Sequence, residues 1–130
     1  MGNPAAKLRH PERAGLHLRV VLPQGGVFGP GRAELLEGIR DLGSIAAAGR
    51  AMGMSYRRAW MLVDTTSREF GAPVVAASPG GAHGGGAGLT ELGLAVLALY
   101  RRIEAKAGAA VAGEMAELEA VAADAGRHRS

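Results

Sequence analysis

Cysteine is absent from the 130-residue sequence, and this excludes disulfide bonds, thiolate zinc sites and cysteine nucleophiles. Aromatic residues make up only 4% of the chain, so aliphatic side chains and alanine must form most of a core. Many of these residues favour helices. No apolar run approaches the roughly 20 residues that a membrane-spanning helix needs, and residues 1–15 contain no apolar stretch of the kind that a secretion signal needs. We therefore expect a cytoplasmic protein that does not associate with membranes.

The sequence also lacks a recognisable arrangement of side chains for catalysis or metal binding. The four histidines lie without ligand spacing to one another or to paired carboxylates: His10, His17, His83 and His128. A metal site is therefore not expected, and no set of nucleophile, base and orienting group can be assigned. We predict a protein that is not an enzyme and needs no cofactor.

Positive charge is concentrated in the first part of the chain. The sequence has 15 lysines and arginines against 12 acidic residues, for a net charge of +3. Ten basic and six acidic residues precede residue 71, whereas the remainder carries five basic and six acidic residues. Such an imbalance fits a polyanionic partner, and solvated surface charge explains an excess of this size about equally well.

The periodicity of apolar residues predicts a mainly α fold with a small β wing. Residues 1–15 have no period and are expected to form a flexible arm. Apolar residues alternate over 16–22, as in a half-buried strand, and residues 27–28 can return beside it. The other predicted elements are, in order, helices over 32–42, 45–52 and 55–70, a strand over 74–77, a glycine-rich loop over 78–88 and a helix from residue 90.

Two of these helices have the organisation of a helix-turn-helix unit. Ser44 is placed to cap the second helix, Gly53 ends it, and Ser55 is placed to cap the third. Ser44 can also present a helix N-terminus to a phosphate, although capping alone explains it. We predict a winged helix-turn-helix domain over 16–107, followed by a helical extension and frayed tail over 108–130.

The predicted third helix, residues 55–70, carries the candidate DNA-binding side chains. Arg57 and Arg58 fall in its first turn, where the helix dipole and free N–H groups already favour phosphate. Tyr56 either contacts a phosphate or packs between helices, and Trp60 is expected in the core. The predicted apolar stripe is Tyr56, Ala59, Trp60, Val63 and Phe70, and the residues expected outside it are Arg57, Arg58, Met61, Thr65 and Arg68.

The glycine-rich loop lacks the lysine and Ser/Thr of a phosphate-binding P-loop. The tip of a β hairpin at the minor groove accounts for it better, with His83 as the side chain able to reach DNA. A loop that contacts nothing remains the alternative.

An apolar seam on the last predicted helix indicates dimerisation. Its residues follow one another at steps of four, three and four: Leu92, Val96, Leu99 and Ile103. The same spacing is compatible with a face that packs back on the three-helix core.

The segment from Gly43 to Trp60, Gly-Ser-Ile-Ala-Ala-Ala-Gly-Arg-Ala-Met-Gly-Met-Ser-Tyr-Arg-Arg-Ala-Trp, resembles the N-terminal DNA-binding domain of the molybdate-responsive ModE regulators. These domains are themselves similar to LysR-type winged helices. The match extends to Phe28-Gly29-Pro30-Gly31-Arg32 and to Gly88-Leu89-Thr90, and it places Arg32 among the predicted DNA-binding residues.

This resemblance implies a homodimeric, sequence-specific transcriptional regulator that binds a palindromic operator in double-stranded DNA. Carried over by position, the start of the recognition helix falls on Ser55, Tyr56, Arg57 and Arg58, and the wing carries His83. ModE regulators continue into paired oxyanion-binding domains, whereas this sequence ends about where those would begin. We therefore expect either a separate molybdate-sensing partner or no effector. The alternative function is a winged-helix adaptor that docks onto a separate sensor or enzyme.

Overall fold

The computed structural model describes residues 15–78 and 86–129. Along the chain, three helices lie between two short antiparallel hairpins, and two further helices follow the second hairpin. The elements are β1 (Val20–Val21), β2 (Val27–Phe28), α1 (Pro30–Leu42), α2 (Ile45–Ala51), α3 (Tyr56–Phe70), β3 (Val75–Ser78), β4 (Gly86–Leu89), α4 (Glu91–Ala110) and α5 (Ala112–Arg129). The mainly helical fold with small β hairpins is thereby confirmed. The predicted arm, apart from Gly15, and the tip of the glycine-rich loop with His83 lie outside the described residues.

Serine hydroxyls cap α2 and α3 where the sequence predicts it. The Ser44 Oγ accepts a hydrogen bond from the Ala47 N–H at 2.8 Å. The Ser55 Oγ accepts one from the Arg58 N–H at 3.1 Å. Each bond satisfies an N–H group that has no partner within its own helix. The boundaries of α2 and α3 are therefore set by local chemistry.

The core forms where α1 is surrounded by the other elements. Leu35, Leu36 and Ile39 of α1 are almost fully buried. The remaining large apolar core residues come from β2, the turn after α2, α3, the residue before β3, and α4: Phe28, Met54, Val63, Val74, Val96, Leu97 and Tyr100. Aliphatic side chains thus dominate the core, as the low aromatic content requires.

The first hairpin, β1–β2, is held by an aromatic cluster. The Phe28 ring meets the rings of Phe70 and Tyr100 edge to face, at centroid distances of 6.1 and 5.2 Å. The Tyr100 hydroxyl donates a hydrogen bond to the Leu18 carbonyl at 2.7 Å. The sequence predicts a strand over 16–22, whereas the observed strand β1 has two residues, because only Val20 and Val21 pair with β2.

Replacing Tyr100 with phenylalanine is expected to cost about 1 kcal/mol of unfolding free energy at neutral pH, the usual contribution of one hydrogen bond. Burial raises the pKa of Tyr100 to about 12, and the Glu104 carboxylate adds to the shift. Because the folded state holds this proton more tightly than the unfolded state, the associated stability is complete below about pH 10 and is lost as the pH rises through the folded value. Urea unfolding of both proteins across the alkaline range should show the difference between them shrinking, and a constant difference would contradict this linkage.

The second hairpin, β3–β4, is fixed by hydrogen bonds at its base. The Ala87 N–H donates to the Gly43 carbonyl at 2.9 Å. Thr90, at the start of α4, donates from its N–H to the Val74 carbonyl at 3.0 Å and from its hydroxyl to the Pro73 carbonyl at 2.7 Å. These bonds hold the hairpin against the end of α1 and place its strands beside α3.

The last two helices are long, and they meet at Val111. Arg101 of α4 donates to both carboxylate oxygens of Glu37 in α1, at 2.6 and 2.9 Å. Helix α5 remains helical to Arg129, where the sequence pattern predicts a frayed tail.

Among the described residues, no helix combines the length and apolar character that crossing a bilayer would require.

Candidate nucleic-acid interface

Helix α3 has one buried face and one exposed face. Ala59, Val63 and Thr66 are buried. The opposite face is formed by the side chains that the sequence places outside the apolar stripe, and all of them are exposed: Arg57, Arg58, Met61, Thr65 and Arg68. The predicted exposed face is confirmed, and it leaves a helix surface with donors available to an external partner.

The two arginines of the first turn are unpaired within the described residues. Arg57 and Arg58 are exposed and take part in none of the ion pairs there. Arg68, near the other end of the same face, instead pairs with Asp64 at 2.8 Å. The unpaired positive charge of α3 is therefore at its N-terminal end, where the helix dipole is also positive.

Ser44 and Ser55 serve as helix caps. Their hydroxyl oxygens accept backbone N–H groups, and each hydroxyl keeps a proton that it can donate. Capping explains both residues without a ligand, so contact with DNA stays a prediction for both.

Arg32 is the predicted DNA-binding residue that the structure does not bring to the others. Its guanidinium makes an ion pair with Glu69, near the C-terminal end of α3, and both side chains are mostly buried. Glu69 lies 12 residues beyond Arg57, which corresponds to about 18 Å along a helix. The observed contact gives Arg32 a role in joining α1 to α3.

Tyr56 and Trp60 are not part of the buried stripe. The exposed fractions are 57% for Tyr56 and 46% for Trp60, so the assignment of Trp60 to the core is wrong. Helix α3 meets the core through Ala59 and Val63, whereas Tyr56 and Trp60 lie on the flank that faces the second hairpin. An open cleft of about 390 Å³ separates them from its strands.

The predicted dimer seam is divided by the structure. Val96 is a core residue, and Leu92 is partly buried against the same core. Leu99 and Ile103 are exposed to 50% and 44% and line an apolar groove with Val20 and Leu22 of the first hairpin region. Only the second half of the seam is therefore available to a partner.

The described part of the chain contains no group of three or more histidine or acidic side chains that could hold a metal ion. The sequence pattern fails for Trp60, because a large apolar residue beside the helix stripe is assigned to the core by default. The helical angle alone does not separate Trp60 from the buried face, since Trp60 lies only about 60° from Val63 around an ideal helix.

No protein-family model matches the chain. The chain is 47% identical over 87 residues to the molybdenum-pterin-binding protein MopB of Rhodobacter capsulatus, covering 66% of this chain and 32% of MopB. It is 40% identical over 73 residues to the molybdenum transport protein ModE of Azotobacter vinelandii, covering 56% and 27%. It is also 32% identical over 87 residues to the transcriptional regulator ModE of Haemophilus influenzae, covering 67% and 34%.

The matched region spans about a third of the length of these curated relatives. This partial similarity supports the resemblance to a ModE-like family. The names of the relatives describe binding, transport and regulation.

Proposed function

We propose, from the partial likeness to ModE proteins, that this chain is a transcriptional regulator that binds double-stranded DNA. In this proposal α2 and α3 form the helix-turn-helix unit, α3 enters the major groove, and the second hairpin is the wing. The order of three helices, hairpin and long helix supports it. A helix fits the major groove, which displays a distinct donor and acceptor pattern for each base pair.

The observation that carries this proposal is the pair of unpaired arginines at the start of α3. An arginine at this position can donate two hydrogen bonds to guanine O6 and N7 or bind a phosphate. Arg57 and Arg58 are exposed on neighbouring sides of the first turn, so one can reach a base while the other reaches the backbone. Arg32 pairs with Glu69 in the free chain, so this proposal rests on Arg57 and Arg58, and contact of Arg32 with DNA stays a prediction.

The protein acts as a homodimer in this proposal. Leu99 and Ile103 supply exposed apolar area on α4, beside the groove of the first hairpin. A twofold dimer buries the same patch on both copies. The twofold axis also relates the two copies of α3, which predicts a palindromic operator.

Selection from random duplexes tests this proposal. The full chain should enrich a motif with two inverted half-sites, their centres separated by about one helical turn of 10–10.5 bp. Recovered duplexes without any shared motif would contradict sequence-specific regulation. A motif with a single half-site would contradict the dimer and leave DNA recognition intact.

A further inference from the structure

We propose that the cleft between α3 and the second hairpin holds the sugar–phosphate backbone of one DNA strand, and that Tyr56 and Trp60 contact it. This inference rests on the proposed function, and it assigns a role to two aromatic side chains that the helix-turn-helix unit leaves unused. Its chemical target is a deoxyribose phosphate of any sequence.

The geometry of duplex DNA leads to this assignment. The major groove, about 12 Å wide, and the minor groove, about 6 Å wide, are separated by a single sugar–phosphate backbone. When α3 occupies the major groove and the hairpin lies at the adjacent minor groove, that backbone passes between them. The space between α3 and the hairpin in this protein is the open cleft of about 390 Å³.

The walls of the cleft suit a sugar and a phosphate. Tyr56 and Trp60 are the aromatic residues on the α3 side of the cleft, whereas the facing strands contribute, beside Val75, only small residues: Ala76, Ala77, Gly86 and Ala87. Small residues leave room for the backbone to approach. Neither the Tyr56 hydroxyl nor the Trp60 indole N–H has a hydrogen-bond partner within the described residues. Both groups can donate to a phosphate oxygen while their rings cover the sugar.

The charge of the cleft is compatible with a phosphate. Asp64 lines it, but Arg68 pairs with this carboxylate at 2.8 Å. The unpaired cations of α3, Arg57 and Arg58, lie at the end of the helix where Tyr56 opens the cleft. One end of the cleft therefore lies at the positive, N-terminal end of α3.

Trp60 is the single tryptophan of the sequence, so its fluorescence reports on this cleft alone. We would titrate the full chain with a fluorescein-labelled mixed-sequence duplex of about 20 bp, two helical turns, and follow binding by anisotropy. Acrylamide quenching of Trp60 would be measured in the free protein and in the saturated complex. The duplex is expected to shield Trp60 from acrylamide.

Trp60→Phe keeps an apolar ring and removes the N–H. It should raise Kd by about tenfold, the loss expected for one hydrogen bond to a charged acceptor, and Tyr56→Phe should act similarly. Because neutral donors release no counterions, the dependence of log K on log salt should not change in either variant. Leu94→Ala is the matched control, since Leu94 on α4 is exposed to the same 46% as Trp60, and it should leave Kd unchanged.

Two results would overturn the assignment while the proposed function stands. One is that acrylamide quenches the fluorescence of Trp60 as strongly in the saturated complex as in the free protein. The other is wild-type affinity in both Trp60→Phe and Tyr56→Phe. A wild-type chain that binds no duplex at low salt would overturn this assignment together with the proposed function.

Discussion

Replacing Arg57 and Arg58 together by alanine is expected to weaken duplex binding about a hundredfold or more. Each guanidinium is exposed and unpaired within the described residues, so each can form a charge-assisted hydrogen bond with DNA. Bonds of this kind contribute about 1.5–3 kcal/mol each, and every 1.4 kcal/mol changes Kd about tenfold. Anisotropy of a labelled duplex at low salt measures the change.

The fold of this double variant should be intact. Alanine is the strongest helix former, and the Ser55 cap uses the backbone N–H of Arg58 rather than its side chain. Arg102→Ala/Lys106→Ala is the matched control, because it removes the same charge from exposed positions of α4. If both double variants lose affinity equally, the net charge of the protein, rather than contacts made by the first turn of α3, accounts for binding.

Replacing Gly93 with alanine is expected to cost about 3 kcal/mol or more of unfolding free energy. A Cβ atom at this position would lie 2.1 Å from the Val74 carbonyl oxygen, so α4 and the second hairpin would have to separate. The Val74 carbonyl also accepts the Thr90 N–H, at 3.0 Å, and this bond would weaken with the shift. Such overpacking in a close contact is among the few causes of large single-residue losses.

Thermal unfolding checks this prediction, and the midpoint should fall by about 10 °C or more. Gly108→Ala, in the same helix, is the control. Nothing lies within 4 Å of a Cβ at Gly108, so this change should stabilise the helix by about 0.5–1 kcal/mol. Similar midpoints for the two variants would show that α4 does not meet the hairpin at Gly93.

Features that depend on neighbours in the sequence were predictable. The caps at Ser44 and Ser55 involve a hydroxyl and an N–H group three residues later. A capping serine, a glycine at the helix end and a helical period together define the boundaries of α2 and α3. The composition likewise predicted a mainly helical fold, because few aromatics are available for a sheet-based core.

Features that depend on distant elements were not predictable in the same way. The partner of Arg32 is Glu69, 37 residues away, and no local sequence pattern predicts that ion pair. The period of Leu92, Val96, Leu99 and Ile103 identifies one face of α4, but only the packing of the first hairpin shows which half of that face the core uses. The exposure of Trp60 follows from where the second hairpin lies.

The central claim is that the arginines in the first turn of α3 contact DNA, at least one of them at a phosphate. The salt dependence of duplex affinity tests this claim. The slope of log K against log salt falls by about 0.9 for each phosphate contact that is lost. If both arginines contact phosphates, the magnitude of the slope should be smaller by about 2 in Arg57→Ala/Arg58→Ala than in the wild type. If one of them contacts a base instead, the magnitude should be smaller by about 1. The account predicts a reduction in this range, with the wild-type slope retained in Arg102→Ala/Lys106→Ala. An unchanged slope and affinity in Arg57→Ala/Arg58→Ala would place the DNA on another surface of the protein.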